Sequence, residues 1–382
     1  MVLSSVIMLV DDLNIVRIPS RWNMVREPVR PRDLRINGFQ DRFDWHNLWI
    51  DGVLINPETV LLIGPPLYSL QDHIREQCRL LDDDGRQLDY VVHEMDRVCM
   101  TVVSLAGPTT CLHLCDSVGR TRINFSRPSK DLIGKRVIVT PSKDHPISWL
   151  KEWISYHASM GIDGVLIYDN NSSDYDAETL HAALQGFENI TIKVVKFNIP
   201  VGPMGGHVPG LPFELPWDSD FSSYVLLNHC KWRYLYASSL VFNLHTDELL
   251  VAQPGWIDQL ENDTSTNAWM IHGKWVEPID SKTGMLATNM TKDQRSFARF
   301  RHVRETENGG GVKWILRPEP MLPYQWSLHT VHGPRVFNSD IKFGHFLGMN
   351  AGLERKRDSF DGNLTNVVPW PELSACLDRW TG

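Results

Sequence analysis

The sequence has no uninterrupted apolar run long enough to cross a bilayer. In the opening stretch MVLSSVIMLVDDLN, Asp11 and Asp12 end the run well short of the ~20 apolar residues a spanning helix needs. No Lys or Arg stands ahead of it, so it also lacks the basic front of a secretory signal. The expectation is a cytoplasmic chain, docking on a membrane at most peripherally. A lumenal location is the alternative, because Asn-x-Ser/Thr sequons recur at Asn124, Asn170, Asn171, Asn189, Asn262, Asn289 and Asn363. Basic charge is short too: 38 Lys and Arg against 46 Asp and Glu leave a formal net charge of −8, which argues against a nucleic-acid partner. Cysteine is scarce, six residues without zinc-like spacing. In CLHLC (111–115) a strand would put Cys111, His113 and Cys115 on one face. No second ligand pair completes a metal site there, so free thiols are expected.

What the chain has is the balance of a globular protein, 42% hydrophobic and 22% charged over 382 residues, enough for one large or two ordinary domains. Residues 1–36, rich in Arg, Pro and Asn, read as an extension that wraps a surface. From 37 to about 130 come short apolar runs such as NLWIDGVLI, VLLIG and RVCMTVVSL, parted by turn formers such as DDDG (82–85) and AGP (106–108). That rhythm predicts a small β-rich, sandwich-like domain. After the linker-like RPSKDLIGK (127–135) the rhythm changes, and 131–382 reads as a second domain.

RVIVT (136–140) is a β-branched strand. In HPISWLKEWISYHASMG, Ile147, Leu150, Trp153, Ile154 and His157 recur at helical spacing, with Gly161 at the C-cap. DGVLIYDN is a second strand, DAETLHAAL opens a helix, and ITIKVVKF is a third strand. Strand and helix alternating in this way predict an α/β fold with a mostly parallel, doubly wound sheet, whose ligands bind beyond the carboxyl ends of the strands. SSLVFNLH is then a fourth strand, ending in HTDELL (245–250). Carboxylates are seldom buried without a counter-charge or metal, so His245 and Asp247 are expected at a cleft.

SKDHPISWLKEWISYHASMGIDGVLIYDNNSSD (142–174) resembles the nucleotide-binding half of GT-A glycosyltransferases, most of all the family 92 (DUF23-like, glycosyltransferase 2-like) group. The likeness runs through Lys143, Leu150, Glu152, Trp153, Ile154, Tyr156, His157, Gly161, Asp163, Ile167, Tyr168, Asp169, Asn170 and Asp174, and departs at Asp144–His145, where the family has Asn-Glu. HTDELL resembles the family's D-x-D-E-F-L segment with its first Asp changed to His245. VKWILRP (312–318), LHTVHGP (328–334) and HFLGMNAGLERKRD (345–358) resemble later family segments, the last with Met349 in place of Lys.

The resemblance implies a Rossmann-like GT-A domain that moves a sugar from a UDP- or GDP-sugar to a glycan, polysaccharide or glycolipid hydroxyl, with inversion and with Mn²⁺ or Mg²⁺ on the diphosphate. It carries the metal role onto Asp247, with His329 or His332 as a late imidazole ligand. His245 either binds metal, touches the donor's ribose or sugar, or marks weaker metal dependence. Thr140 and Pro141 would line the base pocket, with Asp169 and Asn170 on base or ribose; for Asp169 an Asx turn is the alternative. Lys143, Asp144 and Lys313 would lie near the donor, Arg317 being another phosphate partner. Glu277 is the first choice of general base, ahead of Asp280 and Glu248, the last expected to brace the metal loop. Glu152 reads as structural, pinning the DNN loop; Asn228 and His229 read as packing. The Gly/Pro-rich stretch at 202–218 is either a lid or a braced surface loop. Two other readings stay open, a degenerate carbohydrate- or nucleotide-binding relative and a metal-dependent hydrolase.

Overall fold

The computed structural model describes residues 10–203, 218–305, 309–350 and 365–381; most of the 202–218 stretch, and 351–358 of the last family-like segment, lie outside them. The fold is mixed α/β around an eleven-stranded sheet. Arg136–Ser142, Gly164–Asp169, Thr191–Lys196 and Leu240–Asn243 run parallel, with Val10–Asp11 of the N-terminal extension added at the edge beyond Thr191–Lys196. The sheet continues antiparallel through Val312–Leu316 and Ala268–Val276. Glu248–Val251, which carries the end of HTDELL, pairs with Val336–Phe346, and that strand runs parallel to Ala268–Val276. No helix among the described residues is long and apolar enough to cross a membrane.

The strands look continuously apolar because both faces are covered. Ile138, Val165, Ile167 and Val194 point into one apolar cluster, whereas Val137, Val139, Leu166, Tyr168 and Val195 point into another. That second cluster also takes in Ile50, Val53, Leu61, Ile63 and Val98. Residues 47–123 supply two four-stranded antiparallel sheets, and Asp51–Asn56, Thr59–Gly64 and Val98–Ser104 of the first lie over the large sheet. Within CLHLC the Cys111 thiol stands 3.6 Å from His113 Nε2, and all six cysteines are free.

The helix Ile147–Ser159 buries Trp149, Leu150, Trp153, Ile154, Tyr156 and His157, the i, i+3, i+4 stripe of an amphipathic helix. It closes at Gly161, whose φ of +95° suits a residue without Cβ. The buried stripe does more than pack. Trp153 Nε1 donates to the Glu248 carbonyl at 2.8 Å, and Tyr156 Oη donates to the carbonyl of Leu250. His157 Nδ1 donates to the Trp153 carbonyl at 2.8 Å, leaving Nε2 to accept the Leu250 amide at 3.3 Å. The helix thereby fixes the backbone of the strand that follows His245–Asp247. Glu152 is structural, as expected, but its partners are Ser296 Oγ at 2.8 Å and the Phe297 amide at 3.1 Å, not the DNN loop.

A buried relay joins the β-rich region to the large sheet. Tyr168 Oη donates to His229 Nδ1 at 2.8 Å, and His229 Nε2 donates to Asp51 Oδ2 at 3.0 Å. All three residues are fully buried. Asn14 supplies two further donors to Asp51 Oδ1. Asn228 donates to the carbonyls of Tyr224 and Trp326, so both it and His229 serve packing.

Two predictions follow from these buried groups. Asp51→Ala strands His229 and the Asn14 amide without an acceptor, which should cost about 3–5 kcal/mol in denaturant unfolding; a loss under 1 kcal/mol would refute the relay. Burial also pulls His157 from 6.5 to about 3. The unfolded chain therefore binds a proton below pH 6.5 that the folded chain refuses until about pH 3. This contribution is complete above pH 6.5 and should fall by about 1.4 kcal/mol per pH unit on acidification. Unfolding free energies of the wild type and His157→Gln at pH 7, 6 and 5 should show a shallower decline in the variant.

Candidate functional site

Three strand ends and the HTDE loop meet around a cavity of about 480 Å³. Ser142 and Asp169 are register partners, so the first two strands end side by side. Pro141, Ser142, Lys143 and His145 form one wall, and His245, Thr246 and Asp247 another, joined by Asn350. Asn170, Phe197, Ile199 and Leu226 give a largely apolar side. Asn170 spends both amide hydrogens on the Phe197 and Ile199 carbonyls, 2.9 Å each, which makes it a rigid part of that wall.

Of the residues expected to bind donor, Pro141, Lys143, Asn170 and His245 line the cavity, as does Asp247. Thr140, Asp144, Asp169 and Lys313 do not. Thr140 is fully buried and its hydroxyl donates to the Pro141 carbonyl. Asp169 accepts from Ser172 Oγ, while Asp144 accepts from the Ser173 and Asp174 amides and from Ser173 Oγ. Both carboxylates therefore build the NNSS turn, the Asx-type role. Burial raises the Asp169 pKa, with the Ser172 hydroxyl opposing. Arg317 donates to the Leu260 and Asp263 carbonyls at the end of the helix Trp256–Asn262 and lies 5.3 Å from the Trp269 ring. It caps a helix C-terminus and does not reach for phosphate.

The HTDE loop is shaped by Glu248. Its Oε2 accepts the His245 amide at 2.8 Å and lies 3.4 Å from Lys313 Nζ, both side chains being 1% exposed. That contact folds His245 back toward Asp247. One ligand atom from each of His245, Asp247 and Glu248 fits within 4.8 Å of the others. His245 Nε2 is buried with no hydrogen-bond partner among the described residues. Burial, aided by the Lys313 charge, pulls the His245 pKa well down, so its lone pair is free of a proton. An imidazole with an orphaned nitrogen, grouped with two carboxylates, is a donor set that fits a divalent cation.

The histidine that meets Asp247 is neither His329 nor His332. His329 and His332 are exposed, and His329 Nδ1 donates to the Val312 carbonyl; neither joins the metal-sized group. His345 does meet the acid, with Nε2 3.2 Å from Asp247 Oδ2 and its ring against Trp275 at 4.1 Å. The signal lay in the HFLG segment, whose family counterpart opens on a histidine. Asn350 approaches the same oxygen at 3.5 Å. Met349 is core, fully buried.

Glu277 is 1% exposed and accepts from Arg304 Nε at 2.9 Å. Asp280 is paired with Arg299. Neither lines the cavity.

Sequence reading passed over His145. Its Nδ1 accepts from the Lys143 amide at 3.3 Å and Ser142 Oγ at 3.2 Å, leaving Nε2 to donate to Thr246 Oγ1 at 2.9 Å. Desolvation lowers its pKa to about 4, so this neutral tautomer persists at neutral pH. His145 ties the first strand end to the HTDE loop.

The comparisons with known proteins bear on this site. The family model for glycosyltransferase family 92 matches residues 143–357, more than half of the chain. The chain belongs to glycosyltransferase family 92. It is a glycosyltransferase, and as such binds a sugar donor and an acceptor. No curated protein matches it. Among solved structures it is similar to HddC from Yersinia pseudotuberculosis, at 12% identity over 55% of this chain and 92% of that one, with a TM-score of 0.30. It is also similar to a mycobacterial protein, at 10% identity over 56% and 67% of the two chains, with a TM-score of 0.28. The cavity of this family 92 chain extends beyond the matched span, because Pro141, Ser142, Asp41 and Arg42 also line it.

His145→Ala should loosen the HTDE loop and weaken binding of the sugar donor by roughly 10–100-fold, the usual effect of losing a group that orients a ligand. His145→Gln, which keeps a donor, should recover part of it. Calorimetric titration decides the point, and equal affinities for all three proteins would rule the tie out.

Proposed function

We propose that this glycosyltransferase carries a hexosyl or pentosyl group from a UDP- or GDP-sugar to a hydroxyl of a glycan, polysaccharide or glycolipid, on a GT-A-type sheet and with inversion. The observation that carries the reading is the unpartnered His245 Nε2, buried beside Asp247 at the edge of a nucleotide-sized cavity. His245 and Asp247 would hold Mn²⁺ or Mg²⁺, with His345 alongside. Such a cation, when bound, supplies Lewis acidity to the departing diphosphate. Glu248 is engaged with Lys313 and the His245 amide, so its role is to hold the loop's shape. Lys143 on the cavity wall is placed to meet phosphate charge. The apolar side at Phe197, Ile199 and Leu226 suits a flat base. Glu277, held by Arg304, supports the sheet edge in this reading and does not take the acceptor's proton.

Asp247→Asn removes one anionic ligand while leaving shape. Titration of UDP and GDP with and without Mn²⁺ should show metal-enhanced binding in the wild type and at least a tenfold loss of that enhancement in the variant. Affinity indifferent to both metal and Asp247 would replace the enzyme reading with a carbohydrate- or nucleotide-binding relative. A screen of nucleotide sugars for turnover with divalent metal then identifies the donor.

A further inference from the structure

The helix Phe39–Arg42 lies outside the family-matched span, yet Asp41 and Arg42 line the same cavity as Asp247. The segment is firmly seated. Phe39 and Phe43 stack at 5.4 Å, and Phe43 meets Phe221 edge-on at 6.0 Å, the three forming a small buried cluster. The Gly202 amide donates to the Arg42 carbonyl at 3.0 Å. Upstream, Arg30 and Asp218 make an ion pair at 2.7 Å, each side chain 1% exposed. An exposed loop lying loosely on the surface would show none of this. On the cavity wall so fixed, the Asp41 carboxylate has no hydrogen bond or ion pair among the described residues.

We infer that this N-terminal segment completes the donor site and that Asp41 accepts hydrogen bonds from the ribose hydroxyls of the nucleotide; the inference rests on the nucleotide-sugar reading above. The argument is one of charge and chemistry. Among the described residues, the cavity is lined by two carboxylates, Asp41 and Asp247. Asp247 belongs to the group that fits a cation, so the diphosphate goes there. Asp41 lies next to Arg42, whose carbonyl takes the Gly202 amide; it has no cation-sized group of ligands around it and would repel phosphate. It must face the uncharged part of the ligand. A carboxylate accepts and never donates, and the vicinal hydroxyls of ribose are the paired donors that UDP and GDP share. The nucleotide is thereby oriented, with its base over Phe197 and Ile199, its ribose at Asp41 and its diphosphate at His245 and Asp247.

The test is a double-mutant cycle on the ligand. UDP, 2′-deoxy-UDP, GDP and 2′-deoxy-GDP are titrated with Mn²⁺ into wild type and Asp41→Ala. Asp41 is exposed, so the variant is expected to fold, and its unfolding midpoint verifies this. The wild type should favour ribose over deoxyribose by roughly tenfold or more, as a site built for a hydroxyl does. Asp41→Ala should lose about tenfold for the ribonucleotide and bind both forms alike. A variant that keeps the wild-type affinity and preference overturns the inference, as does one that loses affinity equally for both forms. A wild type that binds no nucleotide diphosphate with metal overturns the donor reading itself, and the ribose contact with it.

Discussion

Everything at the candidate site hangs on a buried ion pair. Lys313 and Glu248 face each other at 3.4 Å with 1% of each side chain exposed, and neither charge would be tolerated there alone, since desolvation costs several kcal/mol per ion. The pair's work is geometric. The Glu248 oxygen that faces Lys313 also accepts the His245 amide, and that hydrogen bond brings His245 and Asp247 into one compact group. In an extended strand, residues two apart also share a face, but they diverge with the pleat instead of converging on one point.

Support for that turn comes from three directions. The Ile147–Ser159 helix holds the backbone just after it through Trp153, Tyr156 and His157. His145 holds the turn itself through Thr246. His345 from the neighbouring strand and Asn350 just beyond that strand's end both approach Asp247. Each contact spans about 90 residues or more of sequence, so the loop is fixed by tertiary structure and not by its own propensity. The long EW-I-x-YH likeness acquires a physical meaning: the helix face that looked like ordinary core is also a set of donors and acceptors aimed at the strand behind the acidic loop.

The sequence made the α/β half legible because its signals are local. Strand and helix periods between 136 and 196 can be counted within windows of a dozen residues, and they led to the right elements and to the cleft end of the sheet. Hydrogen-bond partners were not legible in the same way. Glu277 looked like a free carboxylate until Arg304, 27 residues on, took it; Asp169 and Asp144 looked like ligand contacts until the NNSS turn used them. His329 or His332 was expected near the acid, and only the pairing of Glu248–Val251 with Val336–Phe346 brings His345 to it. The position of Asp41 and Arg42 at the cavity left no local trace, since their segment is seated by distant residues, Phe221 against Phe43 and the Gly202 amide on the Arg42 carbonyl.

In the D-x-D segment that HTDELL resembles, His245 stands where the first aspartate would be. On the metal-assisted reading, a loop with two aspartates must tolerate two like charges at close range whenever the cation is absent, which raises the pKa of one of them and opposes compact folding. A neutral imidazole removes that repulsion, and the buried Lys313 nearby further disfavours any proton on it. The loop is then preformed without metal, held by Glu248 and His145 instead of by the ion. The same histidine alters which ion suits the site, because Mg²⁺ prefers oxygen ligands in strict octahedral order whereas Mn²⁺ accepts imidazole more readily. A histidine there is compatible with retained metal chemistry, shifted toward the softer ion, and gives no reason to infer its loss.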